Sequence, residues 1–402
     1  MTATTEKAAS STKPRGSSVN LSNYGLLAAF VVVILFFEVM THFKLLYPAN
    51  VNNLIMQNAY VVILAIGMIM VIIAGHIDLS VGSLVAMLGG FVAVAIQEWH
   101  WPWLLAVFAT IILGAICGVW QGFWVAFVGI PGFIVTLAGM LAFRGGALIV
   151  LHGGTIGGLP EGFVSIGARW MPNWLGHANI FGSRDVLTLL FGVLAVGALL
   201  LSQFRERAKL KSRGLPRESV TIFWVRNGIA SAAILLFTWI LAGHRGVPYI
   251  LLILSVLVVA YIFVLSRTVF GRHIYAMGGN RFAAIMSGVK TKWVDFFIFV
   301  NIGALTAIAA VVTTARASSA VAGAGNFYEL DAIAACFIGG TSVSGGVGKI
   351  SGAVTGAFLI GVINQGLSIM GVDPAWQNVI KGLVLIAAVT FDLMNRRRSG
   401  NN

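Results

Sequence analysis

Eight ionisable side chains, Glu38, Asp78, Arg144, Asp295, Glu329, Asp331, Asp373 and Lys381, lie within or at the ends of long apolar runs. A charge at mid-bilayer costs roughly 2.5–3.5 kcal/mol on insertion scales, so such residues mark either chemistry or a structural partner. Several stand at the ends of runs, where snorkelling or capping removes most of the cost. Asp78, in Gly75-His76-Ile77-Asp78-Leu79-Ser80-Val81-Gly82-Ser83, is placed to cap the apolar run that follows. A proton-coupled carrier needs several acids in mid-span, and this pattern supplies almost none. The nearest approach to a phosphate loop is Gly345-Gly346-Val347-Gly348-Lys349-Ile350. It lacks the Ser or Thr after lysine that would hold Mg²⁺, and its spacing from an earlier glycine is wrong. None of the seven histidines forms HExxH, and no group of acids and histidines resembles a metal site. No catalytic residue and no metal are expected. A transporter with this inventory runs on a gradient or borrows an engine.

The elements that would position these groups are membrane spans. Of 402 residues, 58% are hydrophobic and only 10% charged, with mean hydropathy +0.92; soluble domains carry about 25% charged residues. Hydrocarbon admits only helices and closed barrels, because each backbone polar group needs a partner. The apolar runs are continuous and about 20 residues long, the length of a spanning helix, and the ten-residue alternation of barrel strands is absent. The expectation is an all-α, polytopic bundle of about 10–12 spans: Leu26–Met40, Leu54–Ala74, Leu79–Gln97, Leu104–Val128, Phe133–Leu151, Val186–Ser202, Asn227–Leu241, Pro248–Ser266, Val294–Thr314, Ala332–Gly345, Gly352–Met370 and Val379–Met394. The tenth, short and glycine-interrupted, reads as a half-helix or re-entrant piece. Residues 1–22, polar and Ser/Thr-rich, read as a disordered tail; 23–395 form the membrane domain and 396–402 a second tail.

Lysine and arginine set the orientation. With the N-terminus cytoplasmic, nineteen bases fall inside and five outside (Lys44, Arg169, Arg184, Arg245 and Arg316), which places both termini in the cytoplasm. The inside set includes seven bases in the 203–226 insert and five in the 267–292 loop. Trp99, Trp101, Trp103, Trp170 and Trp174 then lie at outer edges, where an indole sits well. The 152–184 segment, the longest outer loop, reads as a cap over the helices or a contact for a partner. Gly114, Gly118 and Gly122 share one helix face, as do Gly348, Gly352 and Gly356; bare backbone there brings helices together, within one subunit or across a dimer seam. Cys117 and Cys336 sit in apolar stretches without a CxxC or His partner and read as packing residues. The net charge of +13 lies between spans rather than interleaved with aromatics, so it reports topology and not nucleic-acid binding.

Within 267–292, glycines flank a short amphipathic helix, and Gly288 is placed to terminate it. Such a helix docks on another protein or lies along lipid headgroups.

Five blocks resemble the inner-membrane permeases of bacterial monosaccharide ABC importers, of ribose, arabinose and xylose type. They are Ile77–Ser83, Thr136–Gly145, Gly271–Gly288, Glu329–Ala335 through Gly339-Gly340-Thr341-Ser342 to Gly345-Gly346, and Trp376-Gln377 with Lys381-Gly382. Thr136–Gly145 and the helix pair around Arg205–Arg226 are most similar to the xylose type. The resemblance implies a type II ABC importer-like permease with no enzymatic activity and no cofactor of its own. It further implies a second copy of the chain, two cytosolic ATPase domains that bind ATP and Mg, and a periplasmic sugar-binding protein. Gly271, Arg272, Gly279, Asn280, Arg281, Ala283, Ala284 and Gly288 would form the ATPase-coupling loop. Where the family has Glu before the paired alanines this chain has Phe282, so Arg281 is expected to meet an ATPase acid instead. Asp78, Ser80, Gly82, Glu329 and Asp331 belong to structural motifs. Asn301, Asn364, Gln365 and Ser368 are candidates for the translocation path, with interhelical hydrogen bonding as the alternative. The rival readings are a secondary carrier, a membrane enzyme, and a permease for arabinose, ribose or a branched-chain amino acid.

Overall fold

A computed structural model describes residues 25–179, 183–215 and 218–400. The expected N-terminal tail lies outside the described residues. The chain folds as α1 (Gly25–Met40), α2 (Pro48–Ile73), α3 (Val81–Gln97), α4 (Trp103–Phe123) with a π-helical turn at Trp124–Val128, α5 (Gly132–Val150), β1 (Thr155–Gly157), α6 (Glu161–Ala168), β2 (His177–Asn179), β3 (Ser183–Asp185), α7 (Val186–Ser212), α8 (Val220–Ala242), α9 (Tyr249–Arg267), α10 (Val269–Gly279), α11 (Arg281–Met286), α12 (Thr291–Ala317), β4 (Ser319–Val321), α13 (Tyr328–Ile338), α14 (Ile350–Ile369) and α15 (Pro374–Gly400). Eight of the described helices are long and apolar enough to cross a membrane, and α1 and α3 are shorter apolar helices. The molecule is a multi-pass helical membrane protein.

Each of the twelve expected spans has a helix. The tenth is the 11-residue α13, which ends at Gly339-Gly340 where Gly340 takes φ +84°. Several boundaries differ from expectation: α2 begins at Pro48 rather than Leu54, α13 ends at Ile338 rather than Gly345, and α15 runs from Pro374 to Gly400, taking most of the expected 396–402 tail into helix. α7 continues to Ser212 and α8 begins at Val220, so the basic 203–226 insert is mostly helix. The cause is composition: Arg, Glu, Lys and Leu are good helix formers, and charge alone does not end a helix. Asp185 caps α7 by accepting from the Thr188 amide at 2.9 Å, and the Ser219 hydroxyl caps α8.

The second half of α2, from Val61 to Ile73, is apolar on all sides and buried, with Ile63 through Val71 fully enclosed. A helix without a polar face is a core element, and α2 is the axle on which α9, α12, α13 and α14 pack. In lipid, helix association depends on close backbone approach rather than hydrophobicity. Both glycine faces supply it within this one chain. A Cβ on Gly118 would stand 2.7 Å from the Val300 Cα, and one on Gly114 would stand 2.6 Å from the Gly303 carbonyl, so α4 lies against bare α12 backbone. Gly352 and Gly356 likewise press against Gly339 and Ala335 of α13.

The 152–184 segment is a cap. β1 pairs antiparallel with β4, Ile156 facing Ala320. α6 lies on the end of α12, where a Cβ on Gly167 would meet the Val312 carbonyl at 2.6 Å, and β2 pairs with β3. α10 and α11 lie at the opposite face, beside the C-terminus of α2 and the 341–349 loop.

Candidate coupling and translocation site

Two interrupted elements meet inside the bundle. The chain leaves α2 at Ile73, runs irregularly through 74–80 and starts α3 at Val81. From the other face, β4 leads through 322–327 to α13, whose Asp331 accepts from the Tyr60 hydroxyl at 2.7 Å. Tyr60 stands halfway along α2, so the half-helix begins at mid-depth. Irregular backbone at membrane depth survives only where protein or a cavity satisfies it, and side chains do so here. Arg144 of α5 donates to the carbonyls of Ala322 and Ala324 at 2.6 and 2.9 Å. The Thr136 hydroxyl bonds the Ile77 carbonyl at 3.3 Å. Gly82 of α3 has no room for a side chain against Gly325 and Glu329. Three blocks of the sequence resemblance therefore converge on one junction.

Asp78 is not the helix cap. Ser80 occupies the N-cap position of α3, and Asp78 stands two residues earlier, accepting from the Ser80 amide at 2.8 Å and hydroxyl at 2.7 Å. The Ser80 oxygen also receives the Gln121 amide at 2.6 Å. The run-end reading holds for Asp373, exposed and accepting from the Ala375 amide at 2.8 Å ahead of α15, but three other acids are enclosed. Asp78, Asp295 and Asp331 are 1%, 0% and 4% exposed, so hydrogen bonds to Ser80 for Asp78 and ion pairs for the other two, not snorkelling, offset their desolvation. Asp331 takes both Tyr60 and, at 3.3 Å, Lys381 of α15. Asp295 takes His76 at 3.0 Å and Arg281. His76, Tyr60 and Gln121 were missed as partners; the available signal was a polar side chain within an apolar run.

The 267–292 segment forms two helices rather than one. Thr268 caps α10, its hydroxyl accepting from the Gly271 amide at 3.2 Å. Asn280 breaks the run and caps α11, its side chain accepting from the Ala283 amide at 2.9 Å. Gly288, at φ +84°, ends the segment. α10 is seated backbone to backbone: a Cβ on Gly278 would lie 2.5 Å from the Gly346 nitrogen, and Gly346 N–H donates to the Ile73 carbonyl at 2.9 Å. Tyr275 donates to the Gly348 carbonyl at 2.6 Å, and burial pushes its phenol above the usual range. Gly271 packs on the end of α9. Gly279 and Arg272 lie along α10 without comparable clamping. Arg281, expected to reach an acid of another protein, already has Asp295 of its own chain. What α11 leaves free is apolar: Phe282, Ile285 and Met286 are 74%, 48% and 71% exposed, whereas Ala284 is buried beneath them. Ala283 is exposed beside them.

The four path candidates stand on two helices, Asn301 on α12 and Asn364, Gln365 and Ser368 on α14. Asn301 of α12 accepts from Tyr261 of α9. Asn364 donates to Asn58 of α2 at 3.1 Å. Among the described residues, the Asn364 Oδ1 and Gln365 Oε1 oxygens are buried without a partner, and Ser368 is exposed.

Comparison with known proteins gives the family. A family profile described as branched-chain amino acid transport system / permease component matches residues 50–389. The chain belongs to that permease family. It is 39% identical over 382 residues to the xylose transport system permease protein of Escherichia coli, covering 95% of this chain and 94% of that one. It is 38% identical to the xylose transport system permease protein of Haemophilus influenzae, over 95% and 98% of the two chains. A ribose import permease protein of Escherichia coli matches at 32% over 85% of each. No solved structure matches.

Proposed function

We propose that this chain is the membrane subunit of an ATP-driven monosaccharide importer of xylose type. Two copies would form the path for sugar delivered by a periplasmic binding protein, across a bacterial inner membrane, with both termini cytoplasmic. Two cytosolic ATPase domains would hold ATP and Mg and supply the power. The chain itself is then a non-catalytic, gated conduit. The observation that carries this reading is α11: an apolar surface, Phe282, Ile285 and Met286, held out from a base that backbone contacts lock to the end of α2 and the 341–349 loop. A partner groove that receives it can push on the core of the bundle. Sugar is favoured over an amino acid by the similarity to the xylose and ribose permeases across most of the chain. Arabinose, ribose and branched-chain amino acids remain the comparison solutes.

The test is reconstitution with the cognate ATPase and binding protein. The full assembly is expected to take up xylose when ATP is supplied, and the chain alone to take up none. Uptake by the chain alone along a proton gradient would instead favour a secondary carrier, the reading that the buried carboxylates Asp78, Asp295 and Asp331 keep worth testing.

A further inference from the structure

Beside the half-helix lies a cavity of about 200 Å³, bounded by Phe327, Leu330 and Asp331 of the re-entrant limb, Ile360 of α14, and Asn378 and Lys381 of α15. Its chemistry is mixed. Phe327 and Leu330 present exposed apolar surface, 50% and 44%. Opposite them stand the Asn378 amide and the Asp331–Lys381 pair, 3.3 Å apart. The Asp331 carboxylate is braced by Tyr60 at 2.7 Å, and Tyr60 is stacked on Tyr328 at 3.5 Å between ring centroids. Lys381 meets one carboxylate oxygen among the described residues. An ammonium carries three N–H groups, so donors remain for a guest.

Two observations set this cavity apart from ordinary packing. An ion pair at the depth of mid-α2 is a costly way to join two helices, and intramembrane ionisable residues mark solute pathways. Phe327 adopts φ +65°, the left-handed region that a bulky side chain rarely occupies. Backbone strain of this kind persists where a side chain must be aimed.

We propose that this cavity is a sugar-contact station on the translocation path. Lys381 and Asn378 engage hydroxyl groups, while Phe327 and Leu330 cover the C–H face of the ring. The ligand class is a single aldose. The volume lies below the ~300–1,000 Å³ of drug-sized pockets and suits a small polar solute better than an oligosaccharide. Asn378 and Lys381 are thereby specificity-determining residues, and Asp331 positions Lys381. The station rests on the reading of the chain as a sugar permease.

The test uses the full importer, with its ATPase and binding protein, in proteoliposomes. Initial uptake of xylose, ribose and arabinose is measured for the wild type, Asn378→Ala, Lys381→Gln and Leu330→Trp, beside the ATPase rate stimulated by loaded binding protein. Asn378→Ala is expected to change the xylose-to-ribose uptake ratio by about threefold to tenfold, the worth of one hydrogen bond, without changing the ATPase rate. Leu330→Trp fills the cavity and should stop uptake while ATP hydrolysis continues. If Lys381→Gln does not assemble, the other two variants still decide. Assembled Asn378→Ala and Leu330→Trp importers with wild-type uptake and selectivity overturn the station and leave the permease reading intact. A wild-type assembly that takes up no monosaccharide overturns both.

Discussion

At the scale of single residues, Asp295 does the most with one side chain. It joins His76, from the broken link after α2, to Arg281 at the start of α11, while lying at the inner end of α12 with no exposure. Asp295→Ala would strand two potential cations. Because the Arg281 side chain is 45% exposed and water takes over part of the pairing, the loss should fall at or below the low end of the ~3–5 kcal/mol for breaking a buried pair. A lowered thermal midpoint in detergent, together with ATP hydrolysis no longer matched to uptake, is the expected outcome; unchanged values for both would remove Asp295 from the linkage. Ala283 and Ala284 separate in the same way. Ala283→Trp should weaken ATPase binding in co-purification and leave the fold intact, whereas Ala284→Trp should destabilise the chain itself, since Ala284 is buried. The sequence marked Asp295 as a charge in an apolar run and Arg281 as a coupling-loop residue expected to meet an ATPase acid. It did not reveal their union, because the pairing crosses a turn whose path depends on Gly288 at φ +84°. The same holds for Asp331 and Lys381, fifty positions apart and joined only by the packing of α13 on α15.

At the scale of elements, the length of the apolar runs made a helix legible at each of the twelve runs, and the short, glycine-interrupted tenth run corresponds to the 11-residue α13. Charge misled at α7 and α8, where a change of solvent was read as a change of structure. Glycine spacing was legible as close packing, but only coordinates show which partner each face meets. Gly118→Val puts a side chain where the Val300 Cα stands 2.7 Å away, in backbone that cannot yield. Overpacking costs typically ~1–3 kcal/mol, and a rigid helix seam belongs at the upper end. The expected result is a clear fall in the thermal midpoint, with Gly145→Val, which meets nothing within 4 Å, as the tolerant control. Gly278→Ala tests a different joint: displacing α10 from the Gly346 turn should leave the chain folded but idle the transport cycle, visible as ATPase activity without uptake.

At the scale of the whole molecule, one face carries α10, α11 and the 341–349 loop, and the other carries the β1–β4 ribbon, α6 and the β2–β3 hairpin. We propose, from the lysine and arginine distribution, that the first face is cytoplasmic. Single cysteines at Ser287 and Trp174, both exposed, report on it directly. An impermeant maleimide added to intact cells should label Trp174→Cys and spare Ser287→Cys until the membrane is opened; the reverse pattern would invert the topology. The native Cys117 and Cys336 are buried and should stay silent. The β1–β4 ribbon carries a mechanical consequence. Three residue pairs moor the re-entrant limb to the rim beyond α5, while Gly339 and Gly356 fuse the far end of α13 to α14. The half-helix is therefore held at both ends, by the ribbon and by α14, and braced along its length by α2, so a displacement of α14 cannot leave α13 where it stands.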